Sequence, residues 1–284
     1  MLNPIVLPLP QYIQTAAMLF QSGVCSGHTL PGEPQYLSKE SHFFDNVDRY
    51  KKGLEFYSQR YQHCDSTNQL IMDATPAHFL FAERVNEFYS QPGLEEYRKK
   101  LKLILIIREP ISREISLYNH KIVEFTKDPN PSNWFADVAR KDGSIRSLDE
   151  HMYEIVKPTI TNPRKKRGRD SIYVDFLADW FENFPRDQLL ILSKAEFDEN
   201  SDSFKQRLET FLGQSFTKDF HRVNAKKGKG SLESRLLNCE TERMLSDIFE
   251  PKNQKLYELL KANPGPSMEQ TPFPSFKRSG DCNS

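Results

Sequence analysis

The chain has 284 residues, enough for one large domain or two small ones with a substantial core. Apolar residues supply 37% of it, with 20 Phe and 11 Tyr, which excludes a disordered chain because such chains are poor in aromatics. Lys plus Arg and Asp plus Glu both total 39, so the net charge is zero, which argues against a globally basic nucleic-acid binder and leaves only local basic patches.

From the N-terminus, Leu2 to Pro10 is apolar but short and broken by Pro4, Pro8 and Pro10, with no basic residues ahead of it, a poor signal peptide. No apolar run reaches the ~18 residues of a membrane helix. Residues 1–14 show no domain-like pattern. The predicted domain covers 15–263, and 264–284, rich in Pro and Ser, is expected to fray. Cys25, Cys64, Cys239 and Cys282 lie far apart without a CxxC pair, which excludes a dense disulfide scaffold and a zinc ribbon; Cys239 has no partner nearby.

Three runs read as buried strands: Gln69–Met72, Leu101–Ile107 and Gln188–Leu192. Between them lie helical patterns. One follows Pro110, with Ile111, Ile115, Tyr118 and Ile122 on one side. Another runs from Ser171, a candidate cap, to Pro185, with Tyr173, Phe176, Leu177, Trp180, Phe181 and Phe184 on one face. A third starts near Ser201, buries Phe204, Leu208, Phe211 and Leu212, and ends at Gly213. Two more cover Glu240–Phe249 and Asn253–Lys261. Asp128–Ser132 and Lys157–Asp170 read as loops. Strands alternating with helices predict an α/β fold, a three-layer α/β/α domain around a mainly parallel sheet.

Ligands of such sheets bind beyond the carboxyl ends of the strands. There, Arg108 leaves the strand and Ser116 follows on the next helix, a pair able to grip a phosphate. The plainer reading pairs Arg108 with Glu109 or Glu114 and leaves Ser116 in solvent. Upstream, residues 38–57 (SKESHFFDNVDRYKKGLEFY) gather Glu40, His42 and Asp45 around Phe43 and Phe44. A partly desolvated Glu40 there suits a general base; alternatively the two Phe anchor a loop whose charges face water. Asn224–Ser231 (NAKKGKGS) can wrap an anion or be a surface loop. Arg164–Arg169 (RKKRGR) is a nuclear address, a nucleic-acid patch, a dock for an acidic polymer, or a solvated basic loop. No aromatic platform accompanies it, so nucleic acid is not expected as a partner. GxxxxGK[ST] is absent, which disfavours a nucleotide kinase.

In this order the segments resemble the sulfotransferases that use 3′-phosphoadenylyl sulfate (PAPS), above all the heparan sulfate glucosaminyl N- and 3-O-sulfotransferases. KESHFFD with YKKGLEFY, DATPAHF at 73–79, LILIIREPISREISLY, and SIYVDFLADWFENFPRDQLLIL followed by FLG, KKGKGS and FEPKNQKLYELL carry the likeness, from about Thr15 to Leu260. The resemblance implies a sulfotransferase domain with a P-loop NTPase-like fold over 15–263. It implies PAPS as co-substrate, no metal, and a glycosaminoglycan-like carbohydrate acceptor. Glu40 stands as catalytic base, Arg108 and Ser116 at the 3′-phosphate, Lys227, Gly228 and Lys229 over the nucleotide, and Lys39, His42, Asp45 and Thr75 on the acceptor side. The chain departs from that pattern. Where the family has a Gly-rich phosphate loop with a Lys, this chain reads LPLPQYIQTAAMLF, so the N-terminus is expected to be incomplete or the enzyme weakened. Ala74 replaces a Lys, and the cysteine-bridged hairpin is expected to be missing. Full-length relatives of this kind are usually anchored in the Golgi. The alternative is an inactive module that binds an acidic glycan.

Overall fold

Leu103–Ile107 and Leu189–Leu192 are apolar at every position and buried at every position. That pattern fits strands covered on both faces, and both runs lie in one parallel sheet. The computed structural model describes residues 3–6, 24–31, 40–64, 70–165, 167–216, 237–270, 272–277 and 282. Among them the sheet comprises β1 (Asn3–Val6), β2 (Val24–Ser26), β3 (Leu70–Asp73), β4 (Lys102–Ile107) and β5 (Leu189–Ser193), in the order β2-β3-β1-β4-β5. Every pairing is parallel. The α/β class with a central parallel sheet is therefore as expected.

The N-terminal segment departs from its patternless reading: Asn3–Val6 is the central strand. Four residues are too few to show a period, and Pro4 argues against a central strand because it has no N–H to give. The register accommodates it, since β1 pairs with β4 only from Ile5 onward, Ile5 opposite Lys102 and Val6 opposite Leu103. β2 is shorter still and carried no signal.

The described chain divides into two compact units. The first lies within 1–107, 175–225 and 259–274 and holds the sheet. Its α-helices of six residues or more are α1 (Gly53–Gln59), α2 (Ala82–Tyr89), α3 (Glu95–Lys100), most of α5 (Tyr173–Asn183), α6 (Lys194–Glu199) and α7 (Ser201–Leu212). One sheet face, with Leu70, Met72, Ile104, Ile106, Leu190 and Leu192, packs on Phe204, Leu208, Phe211 and Leu212 of α7. α7 ends on Gly213 in the left-handed region, φ 66°, as its sequence predicts. The opposite face, with Leu103, Leu105, Ile107, Leu189 and Ile191, is buried as well. Trp180 of α5 ties that helix to the β3 side through an indole N–H donated to the Phe79 carbonyl at 2.8 Å.

The second unit lies within 108–174, 226–258 and 275–284. It contains α4 (Pro110–Lys127), a helical stretch from Leu148 to Ile160 with a π-helical turn at Met152–Val156, and most of α8 (Cys239–Ala262). Ile111, Tyr118, Leu148, Met152, Leu245 and Phe249 form its core. The two helices expected around Pro251 are one. A proline removes a single intrahelical bond, and buried Leu245, Phe249, Leu256 and Leu260 keep an apolar stripe running past it.

The cysteines also correct the sequence reading. Cys25 bonds Cys64 and Cys239 bonds Cys282, with Cα–Cα distances of 5.8 and 5.3 Å. Separation along the chain, 39 and 43 residues, hid pairs that the fold brings together. The segment from 264 onward makes defined interactions. Glu269 pairs with Arg186 at 2.5 Å and accepts the Ile191 N–H at 2.6 Å, so a carboxylate occupies a backbone donor on the outer edge of β5. Phe276 N–H donates to Tyr257 Oη at 2.7 Å.

Leu190 is fully buried between sheet and α7. Leu190→Ala should cost about 2–5 kcal/mol, read as a lower urea midpoint. A loss under ~1 kcal/mol would show that this face is not close-packed.

Candidate active site

The acceptor-side segment leaves a buried anchor. Phe43 and Phe44 are wholly buried, their rings meeting Tyr50, Tyr57 and Phe88 at centroid distances of 4.6–6.3 Å. The anchoring reading is therefore right about the two Phe, while the charges do not simply face water: Asp45 is buried, and Glu40 and His42 are half-buried. Two arginines fasten the backbone. Arg49 donates to the Ser41 carbonyl at 2.6 Å, and Arg84 from α2 donates to the Phe44 carbonyl at 2.5 Å.

Asp73, at the carboxyl end of β3, holds this loop to the sheet. Its carboxylate accepts from Ser41 Oγ at 2.5 Å, Thr75 Oγ1 at 2.7 Å, Thr75 N at 3.2 Å and Tyr57 Oη at 3.1 Å. Thr75 Oγ1 in turn accepts the His42 N–H at 3.1 Å. Thr75 is fully buried with its hydroxyl used as both donor and acceptor, so it positions the loop. The anchors explain His42 itself, whose φ of 48° is the one left-handed value among described non-glycine residues. A residue keeps that costly conformation only where its surroundings enforce it.

His42 sits between two carboxylates, its Nδ1 3.0 Å from Asp45 Oδ2 and its Nε2 3.6 Å from Glu40 Oε2. Burial pulls its pKa down, but Asp45 and then Glu40 outweigh burial and push it up to about 9. His42 is thus a cation at neutral pH beside Glu40. His78, wholly buried, behaves oppositely. Burial lowers its pKa against the pull of Asp73 and Asp45, and its Nε2 accepts the Phe44 N–H at 3.3 Å, which assigns the neutral ring.

In the second unit, Arg108 follows β4 directly. Tyr173 Oη grips its backbone, donating to the Arg108 carbonyl at 2.9 Å and accepting its N–H at 3.3 Å. Its guanidinium makes no ion pair or hydrogen bond among the described residues. The two acids nearest it in sequence are engaged elsewhere. Glu109 caps α4 through Ile111 N and Ser112 N, and Glu114 pairs with Arg113 at 2.9 Å. Ser116, half-buried two turns along α4, has no hydrogen-bond partner among the described residues. Ser171 does not serve the cap expected of it: its hydroxyl accepts from Arg113 and donates to Glu114 in a buried cluster that includes Asp170. In the basic run, Arg164, Lys165 and Arg167 are exposed, whereas Arg169 is buried and donates to the Ile160 carbonyl at 3.2 Å. Lys39, Lys227, Gly228 and Lys229 lie outside the described residues. Sequence reasoning passed over Asp73, His78, Tyr57 and Arg84; of these only Asp73 had a signal, as the acidic residue ending a strand.

Curated proteins similar to this chain are sulfotransferases. Mouse heparan sulfate glucosamine 3-O-sulfotransferase 5 is 30% identical over 156 residues, covering 55% of this chain and 39% of that protein. Mouse heparan sulfate glucosamine 3-O-sulfotransferase 3B1 is 26% identical over 243 residues, covering 78% and 55%. Membrane-associated sulfotransferase kil1 of Dictyostelium discoideum is 22% identical, covering 90% and 66%. A crystal structure of a sulfotransferase from Alicyclobacillus acidocaldarius superposes with TM-score 0.55 at 14% identity, covering 92% of this chain and 96% of that one, a likeness of fold. The chain is similar to heparan sulfate 3-O-sulfotransferases. No protein-family profile matches it, and it spans 39–55% of the length of the mouse relatives. The parallel sheet places the Asp73 anchor and the end of β4 on one carboxyl edge, since β3 and β4 run parallel to the β1 between them.

A proton titration of His42 by NMR should give a midpoint near 9, and Asp45→Asn should lower it by about 1–3 pH units. Because the folded value lies above the ordinary 6.5, the stabilisation from this cation is whole below pH 6.5 and is lost as pH rises through about 9. A midpoint at or below 6.5 would remove the cation from the site.

Proposed function

We propose that this chain transfers the sulfo group of 3′-phosphoadenylyl sulfate to a hydroxyl or amine of a glycosaminoglycan-like carbohydrate. The observation that carries the reading is Glu40 beside the His42 cation, on a loop that Asp73 holds at the carboxyl edge of a sulfotransferase-type sheet. Glu40 takes the proton from the acceptor as its oxygen or nitrogen bonds to sulfur. The sulfur–oxygen bond to the nucleotide phosphate breaks, and 3′-phosphoadenosine 5′-phosphate departs. Holding base and acceptor in place supplies much of the rate, because orientation replaces an encounter in solution. Asp45 and Glu40 fix the His42 ring, which brings positive charge to the acceptor side. Arg108, whose guanidinium is not taken by Glu109 or Glu114, and Ser116 hold the 3′-phosphate. Lys227, Gly228 and Lys229 complete the nucleotide side, and Lys39 the acceptor side.

The residues suit an anionic co-substrate: a fork-shaped cation and a nearby hydroxyl are a usual phosphate pair. A second reading, an inactive module that binds an acidic glycan, is favoured by the sequence of Leu7–Phe20, which has neither Lys nor paired glycines.

Calorimetry with 3′-phosphoadenosine 5′-phosphate separates the two. The enzyme reading expects micromolar binding that Arg108→Ala removes; glycan affinity with no nucleotide binding selects the module. For catalysis, Glu40→Gln should lower sulfo transfer by about 10²–10⁴-fold and leave nucleotide affinity intact. Loss of both properties, or of neither, would sink Glu40 as base.

A further inference from the structure

The Cys25–Cys64 bond does not stand alone. β2 carries Cys25, and three residues on, His28 follows; at the far side of α1, His63 precedes Cys64. The backbone joins these two ends, since His28 N–H donates to the Arg60 carbonyl at 2.9 Å. His63 Nε2 lies 3.5 Å from Cys25 Sγ and 4.0 Å from Cys64 Sγ. Its other nitrogen, Nδ1, lies 2.9 Å from His28 Nδ1. Cys25, His63 and Cys64 each offer one ligating atom, and the three atoms lie within 4.8 Å of one another. Both sulfurs belong to buried residues, while His63 is exposed.

We propose that, once the Cys25–Cys64 bond is reduced, Cys25, Cys64 and His63 Nε2 bind one zinc ion, with His28 as the partner that orients His63. A tetrahedral zinc site with Zn–S of about 2.3 Å and Zn–N of about 2.0–2.1 Å has sulfur–nitrogen edges of about 3.5 Å. The two observed sulfur–nitrogen distances stand at and slightly above that edge. Reduction frees the sulfurs to separate by side-chain rotation while their Cα atoms stay 5.8 Å apart. Two thiolates and an imidazole are soft to borderline ligands, a set that selects zinc over magnesium or calcium. A ligating histidine almost always donates its second N–H to an outer partner, which fixes ring and tautomer; here that acceptor is His28 Nδ1. Water completes the fourth position.

The chemistry balances simply. Two equivalents of a small thiol reduce the bond, leaving two protein thiols and an external disulfide, and zinc displaces both thiol protons. In a test tube a phosphine does the same and leaves as its oxide, with oxygen from water. The oxidised and metal-bound forms both tie β2 to the segment after α1, so the cross-link survives a change of redox environment by changing its chemistry. The pair at Cys239 and Cys282 has no such ligand group around it among the described residues and serves as an internal control.

The test uses the full chain and zinc itself. The protein is reduced with a phosphine without oxygen, dialysed against zinc, and metal is counted per chain; cobalt in place of zinc reports thiolate ligation by its charge-transfer absorption. The expected result is one zinc per reduced chain and none above background in the oxidised chain, a comparison that needs no variant. His63→Ala, at an exposed position, should abolish it. His28→Gln should weaken it by about 10–100-fold, and the double variant Cys239→Ser/Cys282→Ser should retain it. A reduced chain that takes up no zinc overturns the proposal. So does zinc that persists in His63→Ala, or that disappears with the Cys239 and Cys282 thiols.

Discussion

One carboxylate holds the candidate site together. Asp73 ends a buried strand and spends its oxygens on Ser41, Thr75 and Tyr57, three groups from three different stretches of chain. A buried carboxylate is costly unless its lone pairs are filled, and here they are filled by the donors that define the loop. Thr75 passes the constraint on to the His42 backbone, and the two Phe that follow sink into the aromatic cluster around Tyr57 and Phe88. Rigid sheet, buried acid and strained histidine thus form one chain of dependence, and Glu40 sits at its outer end.

The electrostatics of the two histidines follow from their depth. His78 is shut away from solvent, so burial decides and the ring stays neutral. His42 keeps some exposure and faces two acids, so the acids decide. The same residue type less than forty positions away carries the opposite charge state at neutral pH. Neither state follows from composition, because each depends on which carboxylates the fold places within hydrogen-bonding reach.

Particular elements were legible in the sequence for physical reasons. Leu103–Ile107 of β4 and Leu189–Leu192 of β5 show as unbroken apolar runs because a parallel sheet is covered on both sides, and α7 shows through its spacing and the left-handed glycine that ends it. Glu40, His42 and Asp45 stood out as titratable groups among aromatics, and the structure does bring them together. Other features leave no local trace. β1 is four residues long with a proline in it, and the disulfides join residues about forty positions apart. The Asp73 anchor is a junction of three segments, visible only when the chain is folded. Pro251 misled because its local preference was overruled by a continuous buried stripe on α8.

The strand order has a consequence for how the molecule is made. β1 leaves the ribosome before its two neighbours, which begin at residues 70 and 102, and it cannot pair on both sides until the chain has grown past them. Non-local parallel pairing of this kind is slow, since a long loop must close before any ladder bond forms. During that interval the future centre of the sheet is a ribbon with two open edges, the form in which strands pair with the wrong partner. Its shortness and its proline, which hid it from pattern reading, also make it a poor template for such errors: few backbone donors are on offer while the rest of the sheet is still being synthesised.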